Sequence, residues 1–499
     1  MKARPTVAVV GAGPGGIAMG IQLAQGGYDF TIYDRNDGFG GTWRNNTYPG
    51  AACDVPSHFY SYSFALNPRW SKTFADQPEI LGYLEMVARD NHLTEHLVSG
   101  TPVTTLRWMD DDQRWTVVTE DGGTHEFDVV VSAVGMLDVA NIPDIPGRER
   151  FRGRVFHSSR WDHSKSTAGE RVASIGTGAS AIQYVPAIAA DAAHLTVFQR
   201  TPIWVSPRYE EPFTPEQQAL FERDPAESLK VRDVAFQWYE SANFAVDSAM
   251  TKELTDIAQT YLVRKVKDPE LRAKLTPSYP VGCKRPLQSR VWFPTFALPN
   301  VTLETSPIEE FTEEGLRTAD GAEHEVDTVI YGTGFHAADY LRSLDVYGTG
   351  GRRLRDDWRD GAEAYLGTIV PGYPNLFTLY GPNTNGTTSI IYILEAQATF
   401  VRRLLDEMVR TGAQAVEVKR DIHDTYNERI QQTLQGTVWM ANCNNYYRHA
   451  NGKVVTQFPY SGTAFTEMVT GVEPDEFDWS PPATARKEPT ACPASTTRR

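Results

Sequence analysis

Two copies of one short pattern constrain the fold of this chain more than any other feature. In the first copy, an apolar run at residues 6–10 leads into the turn GAGPGG, which contains Gly11, Gly13 and Gly16. Apolar residues then recur at helical spacing until a Gly-Gly pair ends them. The pattern predicts a strand, a tight turn and a helix, and a second strand at residues 30–33 completes the unit.

The second copy begins with a strand predicted at residues 171–175. It continues through the turn GTGASA, which contains Gly176 and Gly178, to a helix at residues 182–190 and a strand at residues 195–199. Such turns bring backbone N–H groups and the positive end of a helix to a pyrophosphate, and a side chain at the closest positions would block it. The repetition predicts an α/β chain with two Rossmann-like dinucleotide-binding domains.

The residue at the end of the second strand distinguishes the ligands of the two units. Asp34 ends the second strand of the first unit, about 20 residues after the first glycine, whereas Arg200 follows the corresponding strand of the second unit. A carboxylate accepts hydrogen bonds from ribose hydroxyls and repels a 2'-phosphate, which a guanidinium binds instead. We therefore expect FAD at the first site and NADPH at the second, where Thr201 and Ser180 supply further hydroxyl groups.

Composition excludes several other classes of protein. The 499 residues carry a formal charge of -15, without a block of basic residues, which argues against a nucleic-acid partner. No apolar stretch reaches the roughly 18 residues that cross a bilayer, so we expect no membrane partner. The four cysteines include no closely spaced pair, which suits a reducing cytoplasm and argues against a disulfide reductase. We expect no metal site.

The remaining segments predict how the two units are joined. Residues 214–276 are rich in Glu, Gln, Ala, Leu and Lys, which indicates a helical insertion. We further expect a long helix at about residues 394–411 and interdomain crossings near Gly135 and Gly334. The resulting expectation is an FAD-binding domain at 1–150 and 333–480, an NADPH-binding domain at 151–213 and 277–332, the insertion at 214–276, and a flexible tail at 481–499.

A motif ahead of the second glycine turn carries a family resemblance. Phe151, Gly153, His157, Trp161 and Asp162 stand at the spacing FxGxxxHxxxW(P/D). This arrangement resembles the motif of the class B flavin monooxygenases of Baeyer-Villiger type. Related enzymes that oxygenate nitrogen or sulfur typically end the motif in Tyr or Phe, so Trp161 and Asp162 favour the Baeyer-Villiger branch.

Further stretches extend the resemblance over nearly the whole chain. Residues 40–57, which include Thr42, Trp43 and Asp54, are similar to the family's flavin-contacting loop. Lys284 and Arg285 resemble a segment in which the Lys helps to hold NADPH and the Arg reaches the flavin. The resemblance implies that Asp54 pairs with Arg285 and that both are catalytic. Residues 380–386 and 444–460 are similar to a flavin-side loop and an aromatic active-site loop.

The resemblance also implies a reaction. Reduced flavin and O2 form a C4a-peroxyflavin, whose anion attacks a ketone and yields an ester or lactone. A permanently charged guanidinium such as Arg285 suits this chemistry, because it stabilises an anion without losing its proton. Two alternatives stay open at this point. One is a monooxygenase acting on sulfur or nitrogen, and the other is a binding module without catalysis, which flavin reduction by NADPH would exclude.

Overall fold

The computed structural model describes residues 4–386 and 388–481. Within them, one five-stranded parallel sheet contains the first glycine turn. Its strands, in spatial order, are Leu376–Thr378, Val129–Ser132, Val7–Val10, Phe30–Tyr33 and Leu97–Val98. Every residue of the central strand is buried, as expected for a parallel sheet that is covered on both faces. The strand contributed by residues 376–378 shows that the chain returns to this sheet late.

A second five-stranded parallel sheet contains the other glycine turn. Its strands, in spatial order, are Val301–Glu304, His194–Phe198, Arg171–Ile175, Thr328–Tyr331 and Arg154–His157. The chain therefore folds as two Rossmann-like α/β units, as the repeated pattern predicts.

Smaller sheets extend these two units, with both parallel and antiparallel pairing between their strands. One joins Asp345–Tyr347, Val103–Met109, Arg114–Thr119 and Thr124–Phe127, and another joins Ile308–Phe311, Gly315–Thr318 and Glu323–Glu325. Two-stranded pairs join Val205–Ser206 to Leu287–Gln288 and Ala415–Val418 to Phe477–Ser480. Residues 323–331, which lead to the crossing expected near Gly334, thus contain two strands, one in an antiparallel sheet and one in the second parallel sheet.

Helices cover the sheets. The α-helices span Pro14–Gly26, Thr42–Asn45, Gln77–Asp90, Ala181–Ala189, Pro215–Arg223, Pro225–Glu240, Ala249–Lys265, Pro269–Leu275, Trp292–Thr295, Leu354–Asp357, Ile390–Thr411, Arg420–Leu434 and Gly462–Thr470. Short 3-10 turns span Leu93–His96, Arg148–Arg150, Ser158–Arg160, Thr349–Gly351, Val438–Met440 and Pro474–Glu476. The helix expected at residues 394–411 begins earlier, at Ile390, and packs against the helix that follows the first glycine turn.

The insertion at residues 214–276 is helical, and side chains cap the start of each helix. Thr214 forms a capping box with Gln217, and Asp224, Ser248 and Asp268 cap the next three helices. These caps satisfy N–H groups that would otherwise lack partners, so the local sequence specifies where each of these helices begins.

A buried arginine attaches this insertion to the first domain. The Arg232 guanidinium donates to the backbone carbonyls of His58, Phe59 and Ser61, with the shortest distance 2.6 Å to Ser61. Burial lowers the pKa of Arg232 from its ordinary value. The contact places the insertion beside the loop that follows residue 54.

The tail predicted at 481–499 lies outside the described residues except for residue 481. Within the described part of the chain, every helix is either too short or too polar to span a lipid bilayer.

Candidate active site

The first glycine of each turn packs against the backbone of a neighbouring strand end. Gly11 has a φ of 110°, and a Cβ there would lie 2.6 Å from the carbonyl oxygen of Ala133. Gly176 has a φ of 107°, and a Cβ there would lie 2.4 Å from the carbonyl oxygen of Gly332. Both positions therefore need glycine for the same two reasons, the positive φ and the close approach of another chain segment.

The other small residues of the turns divide into packing and cavity-facing positions. A Cβ at Gly16 would lie 1.9 Å from the carbonyl oxygen of Gly11, so this glycine is needed for close helix packing. A Cβ at Gly178 would meet nothing within 4 Å, because this residue faces open cavity. A Cβ at Gly13 would lie 3.5 Å from the Cα atom of Gly41, which is an ordinary contact distance. The turns therefore leave room for phosphates beside the helix starts, which fits two dinucleotides.

Gly178→Ala tests this cavity-facing role. The added methyl group finds free space in the protein alone, so thermal stability and FAD content are expected to stay unchanged. It would occupy the space of the pyrophosphate, so the KM for NADPH should rise by about tenfold or more, or about 1.4 kcal/mol. Gly82→Ala is the matched control, since its Cβ also meets nothing within 4 Å but lies on a helix away from the cavity. An unchanged KM in Gly178→Ala would contradict the assignment.

Asp34 is buried at the end of its strand and is held by the first turn. One carboxylate oxygen accepts from the backbone N–H of Ala12 at 2.6 Å, and the other accepts from the backbone N–H of Asn36 at 2.7 Å. The second oxygen also accepts from the Asn36 side-chain amide at 2.8 Å, so the oxygen hydrogen-bonded to Ala12 is the one that retains a lone pair for a ligand. The carboxylate is thus fixed where the strand reaches the cavity, as a ribose-binding acid requires.

Arg200 and Lys284 bring two positive charges to the other end of the cavity. Neither forms an ion pair with a carboxylate among residues 4–386 and 388–481. Burial, and then the charge of Arg200, lower the pKa of Lys284 from its ordinary value. Two neighbouring cations without a protein counter-ion favour an anionic ligand. Thr201 and Ser180 line the same cavity.

Asp54 and Arg285 meet although 231 residues separate them in the chain. The Arg285 Nε donates to one Asp54 oxygen at 2.8 Å, and Nη2 donates to the other at 2.7 Å. The Asp54 carboxylate raises the pKa of Arg285 well above its ordinary value. This bidentate pair holds the guanidinium plane in one orientation and keeps it charged. Both residues line the cavity that the two glycine turns share.

The helical insertion supplies residues around this pair that sequence reasoning missed. The Tyr239 hydroxyl lies 3.5 Å from the Asp54 carbonyl oxygen, to which it donates. The insertion's other cavity residues are mostly apolar: Trp238, Ala242, Phe244, Met250 and Leu254. No motif marks them, because their helical spacing resembles that of ordinary packing residues.

The flavin-contacting loop predicted at residues 40–57 is held from two sides. Trp43 donates through its indole N–H to the Tyr60 hydroxyl at 2.9 Å, and both Thr42 and Trp43 line the cavity. From the second domain, Gln183 accepts from the Tyr48 hydroxyl and donates to the Ala52 carbonyl, each at 2.9 Å. Gln183 was also missed, since a single glutamine on a helix gives no signal.

The motif residues that carry the family resemblance lie outside the cavity lining. His157 is buried at the end of its strand, accepts from the Ser159 N–H at 3.1 Å, and packs its ring 5.4 Å from that of Phe335. Burial lowers the pKa of His157 to about 4, so the imidazole is neutral near pH 7. The histidine therefore supports the crossing between domains.

The rest of the motif stabilises the second sheet. Phe151 packs against Phe311, with ring centroids 5.7 Å apart, and a Cβ at Gly153 would lie 2.4 Å from the Asp327 carbonyl oxygen. Trp161 packs on the helix after the second glycine turn. Hydrogen bonds from Ser164, and then from Arg154, lower the pKa of Asp162 to about 2.

A disulfide joins Cys283 to Cys443 across 160 residues. Nothing in the sequence indicated this pair, because sequence spacing reveals only short-range pairs. Cys53 is buried and free.

The whole cavity has a volume of about 1570 Å³. A single small ligand typically occupies a pocket of roughly 300–1,000 Å³. The cavity also touches both glycine turns, Asp34, Arg200 and the Asp54–Arg285 pair. Its size and lining fit two dinucleotides with a substrate between them.

Comparisons with known proteins agree with this geometry. Residues 4–229 match the sequence model of the FMO-like family, described as flavin-binding monooxygenase-like. A Baeyer-Villiger monooxygenase of Streptomyces coelicolor is 40% identical over 497 residues, which cover 98% of this chain and 95% of that protein.

Solved structures are also similar. OTEMO in complex with FAD and NADP has a TM-score of 0.87 at 27% identity, covering 96% of this chain and 100% of that one. Cyclohexanone monooxygenase bound to ε-caprolactone has a TM-score of 0.84 at 30% identity, covering 95% and 99%. The chain therefore belongs to the FMO-like flavin monooxygenases and is, within them, an FAD- and NADPH-dependent Baeyer-Villiger monooxygenase.

Proposed function

We propose that the Asp54–Arg285 pair marks the position at which oxygen is transferred to an apolar ketone, giving an ester or lactone. The observation that carries this proposal is the bidentate contact between the two side chains inside the cavity shared by both glycine turns. When bound, FAD takes electrons from NADPH and supplies the activated oxygen.

Arg285 provides a fixed positive charge beside the reacting atoms. Its raised pKa keeps the guanidinium protonated throughout the working pH range. Asp54 occupies Nε and one hydrogen of Nη2, whereas Nη1 has no hydrogen-bond partner among the described residues. Nη1 is therefore available to donate to an oxygen atom on which negative charge develops. A donor that is already oriented needs no reorganisation during the reaction.

The remaining assigned residues bind the cofactors. Asp34 holds the ribose of FAD, and Arg200 and Lys284 hold the 2'-phosphate of NADPH. The other residues assigned to FAD are Gly11, Gly13, Gly16, Thr42 and Trp43, and those assigned to NADPH are Gly176, Gly178, Ser180 and Thr201. We also propose that the two domains divide at about residues 150 and 333, with the insertion acting as a wall of the substrate site.

The lining of the cavity supports a ketone with an apolar skeleton. Phe244, Met250 and Leu254 come from the insertion, and Trp439 comes from the late part of the chain. These side chains cannot satisfy charged groups on a substrate, whereas burial of apolar surface against them contributes roughly 25 cal/mol per Å². The similar cyclohexanone monooxygenase binds ε-caprolactone, a product of the expected chemical class.

Competition between a ketone and a sulfide of matched shape tests this assignment. The purified holoenzyme is incubated with NADPH, air and an equimolar mixture of an aryl alkyl ketone and the corresponding sulfide. We expect kcat/KM for ester formation to exceed that for sulfoxide formation by about tenfold or more. A panel of cyclic and linear ketones repeats the comparison for other skeletons. Sulfoxide formation without any ester across the panel would contradict the proposed substrate class.

A further inference from the structure

The disulfide connects two parts of the cavity lining that lie 160 residues apart in the chain. Cys283 directly precedes Lys284 and Arg285 and has no exposed surface. Cys443 directly precedes a loop whose residues 444–450 line the same cavity. The bond therefore links the segment that carries Arg285 to the loop at residues 444–450.

Few other bonds hold this loop to the arginine segment. Asn445 donates through its side-chain amide to the Cys283 carbonyl at 2.9 Å, and its own side-chain oxygen accepts from the Tyr447 N–H at 2.9 Å. Asn444 is exposed, and the exposed fraction of Tyr446 is 36%. Tyr446 and Tyr447 line the same cavity as Arg285. Movement of the loop would therefore change the surroundings of the guanidinium.

We propose that Cys283 and Cys443 form a thiol–disulfide modification site, and that a dithiol reductant opens it and loosens the loop at residues 444–450. Closing a chain loop covalently limits the conformations that the segment can reach when it detaches. The oxidised form therefore keeps the loop against the arginine segment, and the reduced form lets it open locally.

The chemistry involves two successive exchanges with the dithiol. A thiolate attacks the Cys443 sulfur, which is partly buried, because Cys283 is fully buried. The S–S bond breaks, Cys283 leaves as a thiolate and takes up a proton, and a mixed disulfide forms on Cys443. The second thiol of the dithiol then displaces Cys443, which is protonated in turn. The protein gains two electrons and two protons, and the dithiol is oxidised to its own disulfide.

One consequence rests on the proposed function. An open loop admits water to the cavity around Arg285, and water access favours loss of activated oxygen as peroxide. The reduced enzyme should therefore form more hydrogen peroxide and less ester per NADPH consumed than the oxidised enzyme.

The thiol count and the loop's hydrogen exchange test the site without relying on activity. The full-length Cys492→Ser holoenzyme is equilibrated with oxidised glutathione or with dithiothreitol, and free thiols are then counted after denaturation. This variant has three cysteines, so we expect one free thiol, the buried Cys53, in the oxidised sample and three in the reduced sample. Amide exchange at residues 444–450 should be about tenfold faster in the reduced sample.

Variants distinguish the effect of breaking the Cys283–Cys443 disulfide from other effects of the reductant. Cys443→Ser should exchange at the reduced rate under both conditions, and Cys283→Ser provides a second variant that should behave in the same way. Cys492→Ser is the matched control, and it should retain the response of the wild type. Three thiols in both samples, one thiol in both samples, or exchange that does not depend on the reductant would each overturn the proposal. None of these results depends on which substrate the enzyme oxidises.

Discussion

Arg285→Ala is expected to lower ester formation by about a thousandfold or more while the protein still binds FAD. A single preorganised donor in an active site commonly contributes about 10²–10³ in rate. The variant loses both this donor and a charge that the neighbouring carboxylate keeps permanently positive. Asp54 is then left without its partner, so FAD content and thermal stability are measured beside product formation.

Two further variants make the result specific. Arg285→Lys retains a positive charge but cannot reproduce the bidentate contact with Asp54, so it should recover only a small part of the rate. Arg359→Ala is the matched control, because Arg359 is 80% exposed and pairs with the equally exposed Asp360. Ester formation at the normal rate in Arg285→Ala would remove this residue from the mechanism.

Arg200→Ala should weaken NADPH binding by about 1.5–3 kcal/mol, the usual contribution of a hydrogen bond to a charged group. This loss corresponds to a factor of about 10 to 150 in the dissociation constant. NADH lacks the 2'-phosphate, so its affinity should change little. NADPH and NADH are each titrated against the variant and the wild type, and nucleotide fluorescence is the readout of binding.

Lys284 provides a cross-check on this prediction. If both cations contact the same phosphate, Lys284→Met should also reduce the preference for NADPH over NADH, and the double variant should lose less than the sum of the two changes. His194→Ala is a control on the same domain, because His194 belongs to a strand of its parallel sheet and does not line the cavity. Equal losses for NADPH and NADH in Arg200→Ala would refute the phosphate-binding role.

Much of the fold follows from signals that act over a few residues. The strands predicted at residues 30–33 and 171–175 have those bounds in the structure, because apolar β-branched runs and glycine turns specify them locally. The same holds for the caps of the insertion, where Thr214 and Asp224 begin helices. Asp34 also lies where the spacing predicts, at the end of its strand.

Less of the candidate site could be predicted from the amino-acid sequence alone. A Lys-Arg pair in a sequence is usually a solvated patch, and only the family resemblance connected Arg285 with Asp54, 231 residues away. Tyr239 and Gln183 give no local signal, since their roles depend on the packing of one domain or insertion against another. The disulfide was missed for the same reason. Conversely, His157 belongs to a conspicuous motif but packs at the crossing between domains.

Isotopic labelling of the product tests the central claim most directly. The purified holoenzyme is mixed with NADPH and an apolar ketone under 18O2, and the product is extracted for mass spectrometry. The account predicts an ester or lactone that carries one labelled oxygen atom, formed together with the oxidation of NADPH. Oxidation of NADPH with only peroxide as product, or an ester without labelled oxygen, would contradict it.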